Sequence, residues 1–156
     1  MTVGILLVGG RGTRLAPITS EIPKPMLPVG GVPFIAQQIA QAQAAGINRI
    51  VLATSYLAQT FTEYFGDGSD FGVELIYAVE ESALGTGGAI RNSAEFLSGG
   101  PDASVVIFNG DVLSGHDLSG QIKAHESLNA DVTLYLTQVK DARAYGCVPC
   151  DQSGRV

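Results

Sequence analysis

A short apolar run, Ile5 to Val8, empties directly into Gly9-Gly10-Arg11-Gly12-Thr13-Arg14, and this junction constrains the fold more than any other stretch. An uninterrupted apolar run bounded by glycines predicts a strand buried on both faces, which demands covering layers above and below it. The three glycines let the backbone turn tightly and leave its N–H groups clear of side chains, which suits a cluster of phosphate oxygens. Arg14 adds a forked donor matched to phosphate, and Lys24 adds a compact point charge. Pro23 and Pro25 flank Lys24 and predict an extended, stiff segment that aims its ammonium. The connection from Gly9 to Gly30 is too long to be passive, and its four prolines argue for an ordered binding loop. Arg11, Arg14 and Lys24 face Glu21 alone within residues 1–30, in a chain of formal net charge −6. A positive pocket on an acidic protein is the pattern expected for a small anionic ligand.

Beyond this loop, helix and strand patterns alternate. Pro33 to Gly46 reads as a helix with Phe34, Ile35, Ile39, Ala42 and Ala45 near helical spacing. Gln37, Gln38, Gln41 and Gln43 fall mostly on its other face and read as solvated surface. Arg49 to Thr54 is a second buried strand, Tyr56 to Tyr64 a helix, and Val73 to Val79 a third strand. Ser104 to Phe108 is a fourth strand, Leu118 to Ser127 a helix, and Asp131 to Val139 a fifth strand. Tyr145 to Pro149 opens another strand that turns at Asp151-Gln152-Ser153-Gly154. The expected fold is α/β: a Rossmann-like three-layer, mostly parallel sheet with helices on both faces and right-handed crossovers. If the strands follow the common order 3-2-1-4-5, the first and fourth are neighbours at the topological switch point. Asn109, Gly110 and Asp111, at the end of the fourth strand, would then face the same crevice as the glycine loop.

A second glycine-rich stretch, Glu80-Glu81-Ser82-Ala83-Leu84-Gly85-Thr86-Gly87-Gly88, reads as a turn before a helix over 89–97. It offers bare backbone on which a flat base could lie, and either glutamate could accept the two adjacent donors on the edge of guanine. His116 and His125 have no partner at ligand or nucleophile spacing and read as surface or cap residues. Cys147 and Cys150 lack a second Cys/His pair to complete a metal site and read as ordinary thiols in a reducing compartment. With 156 residues the chain is about one domain long. No basic stripe favours nucleic acid, and no apolar run suggests a leader or a membrane span. The expected location is the cytoplasm.

The loop is neither a P-loop, since no Lys follows its glycines at the required spacing, nor a dinucleotide fingerprint, since Leu15 stands where a third glycine belongs. The longer string Gly-Gly-x-Gly-Thr-Arg-Leu-x-Pro-x-Thr, followed by Pro-Lys-Pro-Met-Leu-Pro-Val, resembles the signature of the sugar-1-phosphate nucleotidyltransferases. Among them it is most similar to the mannose-1-phosphate guanylyltransferases. The resemblance implies transfer of a nucleotide from a nucleoside triphosphate, GTP in first place, to a sugar 1-phosphate such as mannose 1-phosphate, with release of pyrophosphate. It implies Arg14 and Lys24 as catalytic groups and Mg²⁺ held by Asp111. The nucleotide would lie on Val8, Gly9, Gly10, Gly12, Thr13, Arg14, Glu80, Glu81, Gly85, Thr86, Asn109 and Gly110, and the sugar phosphate on Lys24, Tyr145 and Gly146. The alternatives are an adenylyl-, thymidylyl- or uridylyltransferase acting on glucose 1-phosphate, or a non-catalytic nucleotide-sugar-binding regulatory module, and a homo-oligomer is compatible with either class. The resemblance spans residues 1–156 but covers only the first half of the family's pattern, so the chain is expected to be the nucleotide-binding part of a longer nucleotidyltransferase domain.

Overall fold

A computed structural model describes residues 2–10, 12–55, 57–100 and 102–156. Arg11, which the sequence places in the glycine loop, and Tyr56, expected to open the second helix, lie outside the described residues. The first strand, β1 (Val3–Leu7), is followed by the long loop, a two-stranded hairpin of β2 (Pro28–Val29) and β3 (Val32–Pro33), and helix α1 (Phe34–Ala44). Then come β4 (Arg49–Thr54), α2 (Ala58–Phe65), β5 (Glu74–Val79), α3 (Gly85–Ser93), β6 (Val105–Asn109) and α4 (Leu118–Leu128). The main sheet is wholly parallel with the order β5-β4-β1-β6. Numbering its strands by themselves, that is 3-2-1-4. The chain crosses from β1 to one side, then returns to the other side of β1, so the switch point lies between β1 and β6.

The sheet is apolar on both faces because its side chains alternate into two cores. Leu6, Val8, Ile50, Leu52 and Leu75 point to one face, where Ile35, Ile39 and Ala42 of α1, Phe61 and Phe65 of α2 and Leu118 of α4 cover them. Val3, Ile5, Val51, Ala53 and Ala78 point to the other and meet Ala89 and Ile90 of α3 with Phe96 and Leu97. Three layers result. On the α3 side three of the buried residues, Ala53, Ala78 and Ala89, are small, which leaves room for that helix to approach the sheet. Across the β4–β5 pair, Arg49 Nη1 donates to both oxygens of Glu74 at 2.6 Å, a cross-strand pair at directly opposed positions.

Three expectations need correction. The glycines at 85–88 are not a loop ahead of the helix; they are the first turn of α3, and the helix ends at Ser93 with a 3-10 turn over Ala94–Phe96. Lys24 is not in an extended segment, because Met26 N–H donates to Pro23 O (2.8 Å) and Leu27 N–H to Lys24 O (3.2 Å), closing a 3-10 turn over Lys24–Met26. Residues 131–139 form no strand, and neither do the residues flanking the turn at 151–154. A strand needs a hydrogen-bonding neighbour, and the 131–139 segment is held against α4 instead of against β6. Tyr135 stacks on His116 with ring centroids 4.0 Å apart, and His125 Nδ1 lies 2.9 Å from Thr133 Oγ1. A groove of about 640 Å³, lined by β6 and by residues 131–135, stays open beside the free edge of the sheet. The two histidines are therefore half-buried fasteners of this segment. The turn at 151–154 does form, with Asp151 Oδ1 accepting from Ser153 N–H and Arg155 N–H.

Candidate functional site

The C-terminal ends of β1, β4 and β6 open into a crevice of about 780 Å³. Crevices at this end and at the switch point are where open α/β sheets bind ligands. One wall is the loop after β1: Gly9, Gly10, Gly12, Thr13 and Arg14 all line the cavity. Gly12 adopts φ +58° and opens a 3-10 turn over Thr13–Leu15, a conformation other residues take only with strain. The buried Thr19 braces it from behind, its hydroxyl donating to Gly12 O at 2.9 Å. Arg14 stands exposed at this wall and forms no ion pair among the described residues, so its guanidinium is not spent on anchoring the loop.

The opposite wall is the entry to α3, with Glu80, Glu81, Gly85 and Thr86. The first N–H groups of a helix have no intrahelical acceptor, and the helix dipole puts partial positive charge there. Glycines in this first turn leave that backbone uncovered. Glu80 supports the turn, its Oε2 accepting from Leu84 N–H at 3.2 Å. Glu81 is exposed and has no partner among the described residues, so of the two acidic candidates it is the one available to a ligand edge.

The floor is the turn after β6. Asn109, Gly110 and Asp111 line the cavity, and Lys24 reaches them from the proline-rich loop. Gly110 N–H donates to Leu7 O at 2.9 Å, and a Cβ at this position would fall 2.7 Å from both that oxygen and Val8 Cγ1. Only glycine allows the turn to lie this close to β1. It places the Asp111 carboxylate 2.7 Å from Lys24 Nζ, with the two side chains 45% and 36% exposed. An ion pair this open contributes about 0–1 kcal/mol. Exchanging it for ligand contacts is therefore inexpensive, and both charges remain available to phosphate and to a cation.

Among the described residues no group of three or more His, Cys, Asp or Glu side chains could hold a metal unaided. Mg²⁺, however, is commonly bound through one or two carboxylates, with waters and substrate phosphates completing its octahedron. The Asp111 carboxylate, a hard oxygen donor facing a crevice lined with glycine-loop backbone and with Arg14 and Lys24 to meet phosphates, fits that chemistry.

Thirteen of the sixteen residues expected in the site, among them Asp111 and both expected catalytic groups, line this crevice. Val8 is buried in the core below it, and Tyr145 and Gly146 are exposed elsewhere and do not line it; the others do. The sequence reading missed Ser55, Ser82, Ala83 and Pro25, which line the cavity. Ser55 was within reach, since it follows a parallel strand adjacent to β1. It also missed Gln38, which is buried beneath the floor. Cys147 and Cys150 are exposed free thiols, and no helix among the described residues is long and apolar enough to cross a membrane.

A mannose-1-phosphate guanylyltransferase of Mycobacterium tuberculosis is 49% identical over 97% of this chain, which spans 42% of that protein. A D-glycero-alpha-D-manno-heptose 1-phosphate guanylyltransferase of Aneurinibacillus thermoaerophilus is 38% identical over 92% of this chain and 61% of its own length. The crystal structure of HddC from Yersinia pseudotuberculosis complexed with GMP-PN superposes with a TM-score of 0.76 at 27% identity, covering 98% of this chain and 66% of that one. The chain thus spans about 40 to 65% of the length of the curated relatives it matches. Nucleotidyltransferases of this kind generally work with a divalent metal. The nucleotidyl transferase family model matches residues 3–156, and the chain belongs to that family.

Proposed function

We propose that this chain carries the triphosphate-binding and transfer centre of a sugar-1-phosphate guanylyltransferase. A phosphate oxygen of the sugar 1-phosphate attacks the α-phosphorus of GTP. The bond between that phosphorus and the α–β bridging oxygen breaks, and pyrophosphate leaves with the bonding electron pair. No protein nucleophile is needed, so catalysis rests on positioning and on neutralising phosphate charge.

The observation that carries this reading is the meeting of three phosphate-seeking features at one switch-point crevice: the glycine-loop amides, Arg14, and the Lys24–Asp111 pair at 2.7 Å. Amides near Gly10, Gly12 and Thr13 cradle the triphosphate. Arg14 takes charge building on the departing β- and γ-phosphates, and Lys24 leaves Asp111 to hold the attacking and α-phosphates together. Asp111 would hold Mg²⁺, which when bound would screen phosphate charge as a Lewis acid. Guanine is favoured by Glu81, whose carboxylate can accept from both donors of that base's edge, and by the guanylyltransferase relatives. A sugar of manno configuration is favoured because those relatives act on mannose and manno-heptose 1-phosphates. A reaction that draws on nucleoside triphosphates is in keeping with a cytoplasmic location.

Pyrophosphate release with Mg²⁺, GTP and mannose 1-phosphate, run beside ATP, UTP and dTTP, is the test. Release with GTP alone is the expected result. Silence with every triphosphate, together with no GTP binding by calorimetry, would sink the reading. Arg14→Ala and Lys24→Ala should each lower turnover by ~10²–10³-fold, the loss typical of one preorganised charge-stabilising donor. A near-normal kcat in both would remove their assigned roles.

A further inference from the structure

Asp111 sits on a turn that another part of the molecule holds from below. Val112 N–H donates to Asn109 O at 3.2 Å, closing a four-residue turn with Asp111 at its third position. The side chain of Gln38, on α1, reaches this turn from 71 residues earlier in the chain. Its Nε2 donates to Asn109 O at 2.8 Å and to Val112 O at 2.5 Å, so one amide nitrogen ties together the carbonyls at both ends of the turn. Both partners are acceptors, which fixes the orientation of the amide. Gln38 is 2% exposed, and its Oε1 is buried with no partner among the described residues. Burying such a group costs free energy that a packed apolar side chain would not, so its retention calls for a reason other than packing.

The same helix also holds the other side of the crevice. Phe34 N–H, at its first turn, donates to Leu27 O at 3.0 Å, and Gln37 Nε2 donates to Val29 O at 3.1 Å. Leu27 N–H in turn donates to Lys24 O. Helix α1 is therefore a spacer between the turn that carries Lys24 and the turn that carries Asp111. Gln38 is its contact to the second.

We propose that Gln38 is a positioning residue: by clamping Asn109 O and Val112 O it holds the turn that carries Asp111, and so sets the place from which that carboxylate takes a divalent cation once Lys24 has turned to the substrate phosphates. The inference rests on the assignment of Asp111 above and adds a residue that touches neither substrate nor metal. Loss of an outer-shell partner of a metal-binding carboxylate typically weakens metal affinity or activity by about 10–100-fold. Gln38→Met keeps size and removes both donors. Gln38→Glu keeps shape and turns an oxygen toward two carbonyls. Gln41 is the control, since it lies one turn along α1 and donates to Ser114 O at 3.0 Å, outside the Asp111 turn.

The readout is Mn²⁺ affinity by electron paramagnetic resonance, with a non-hydrolysable GTP analogue present, so that no turnover is required. Asp111→Asn must weaken Mn²⁺ first; if it does not, the assignment of Asp111 fails, and this inference with it. Given that loss, Gln38→Met should weaken Mn²⁺ by about tenfold or more. GTP-analogue affinity without metal should hold, Gln41→Met should match the wild type, and Gln38→Met on top of Asp111→Asn should add nothing. An unchanged Mn²⁺ affinity in Gln38→Met, or a double variant whose losses multiply, would overturn the role of Gln38 while leaving Asp111 in place. Should the Gln38 variants not fold, the unmodified protein decides. Added Mg²⁺ with the analogue should shift the Gln38 side-chain amide resonance with the midpoint of metal binding, and no shift would overturn the proposal.

Discussion

The sheet and the segment after α4 are written in the same alphabet and end in different states. Strands β1 and β4 bury Val3, Ile5, Leu6, Ile50, Val51 and Leu52 completely. Val132, Leu134 and Leu136, which alternate with Thr133 and Tyr135, are 74%, 53% and 48% exposed. The difference lies in neighbours. Each inner strand has a partner on both edges and a helix on each face, whereas residues 131–139 have α4 on one side and an open groove on the other. An apolar alternation therefore states only what a segment would bury, and a second element has to supply the place.

The largest effect that tests this contrast is a core truncation. Phe61, wholly buried beneath the sheet, should cost about 3–5 kcal/mol as Phe61→Ala, while Leu136→Ala in the exposed segment should stay within about 0.5 kcal/mol. Urea denaturation of both variants measures it. A loss above about 2 kcal/mol for Leu136→Ala would show that the segment is packed in solution after all.

The same contrast explains what could be read from the sequence. The bounds Arg49–Thr54 are legible because a buried apolar run stands out from its neighbours, while the order of the four parallel strands agrees with the common doubly wound order and is not written in any one residue. The convergence of the loop at 9–14 with Asp111 followed from that order. Gly85 to Gly88 reads as a turn because glycine has low helix propensity, and packing of α3 against the sheet outweighs that preference. Gln38 reads as surface in the sequence because its polarity says nothing of the carbonyls of Asn109 and Val112, 71 and 74 residues away. The hairpin β2–β3 is only two residues long on each side, too short for periodicity to register. Tyr145 came with the family resemblance alone, and nothing local in the structure ties it to the crevice.

A middle-sized effect tests where the well-packed region meets the site. Gly110→Ala would place a Cβ 2.7 Å from Leu7 O, a backbone atom that cannot rotate away. The turn must lift off β1, at a cost of about 1–3 kcal/mol typical of overpacking, and the lift moves Asp111. Stability by urea titration and Mn²⁺ affinity should therefore fall together. A variant of wild-type stability and affinity would mean that this turn yields as easily as the exposed segment does.

The smallest effect lies at the rim of the packed region. On β5, the Tyr77 hydroxyl donates to Gly66 O at 2.7 Å, and burial, then the charge of nearby Asp67, raises its pKa above the ordinary tyrosine value. The folded state thus holds the phenol proton more tightly than the unfolded chain does. Below pH ~10 both states are protonated and the stability is fully present; as pH rises through the higher folded value the unfolded chain has already ionised, and stability is lost. Tyr77→Phe removes the ionisable group, so the fall in urea midpoint between pH 9 and 11.5 should be shallower than in the wild type. An equal slope would place the alkaline sensitivity in other groups, and it would mean that the edge of β5 is as open to water as the segment after α4.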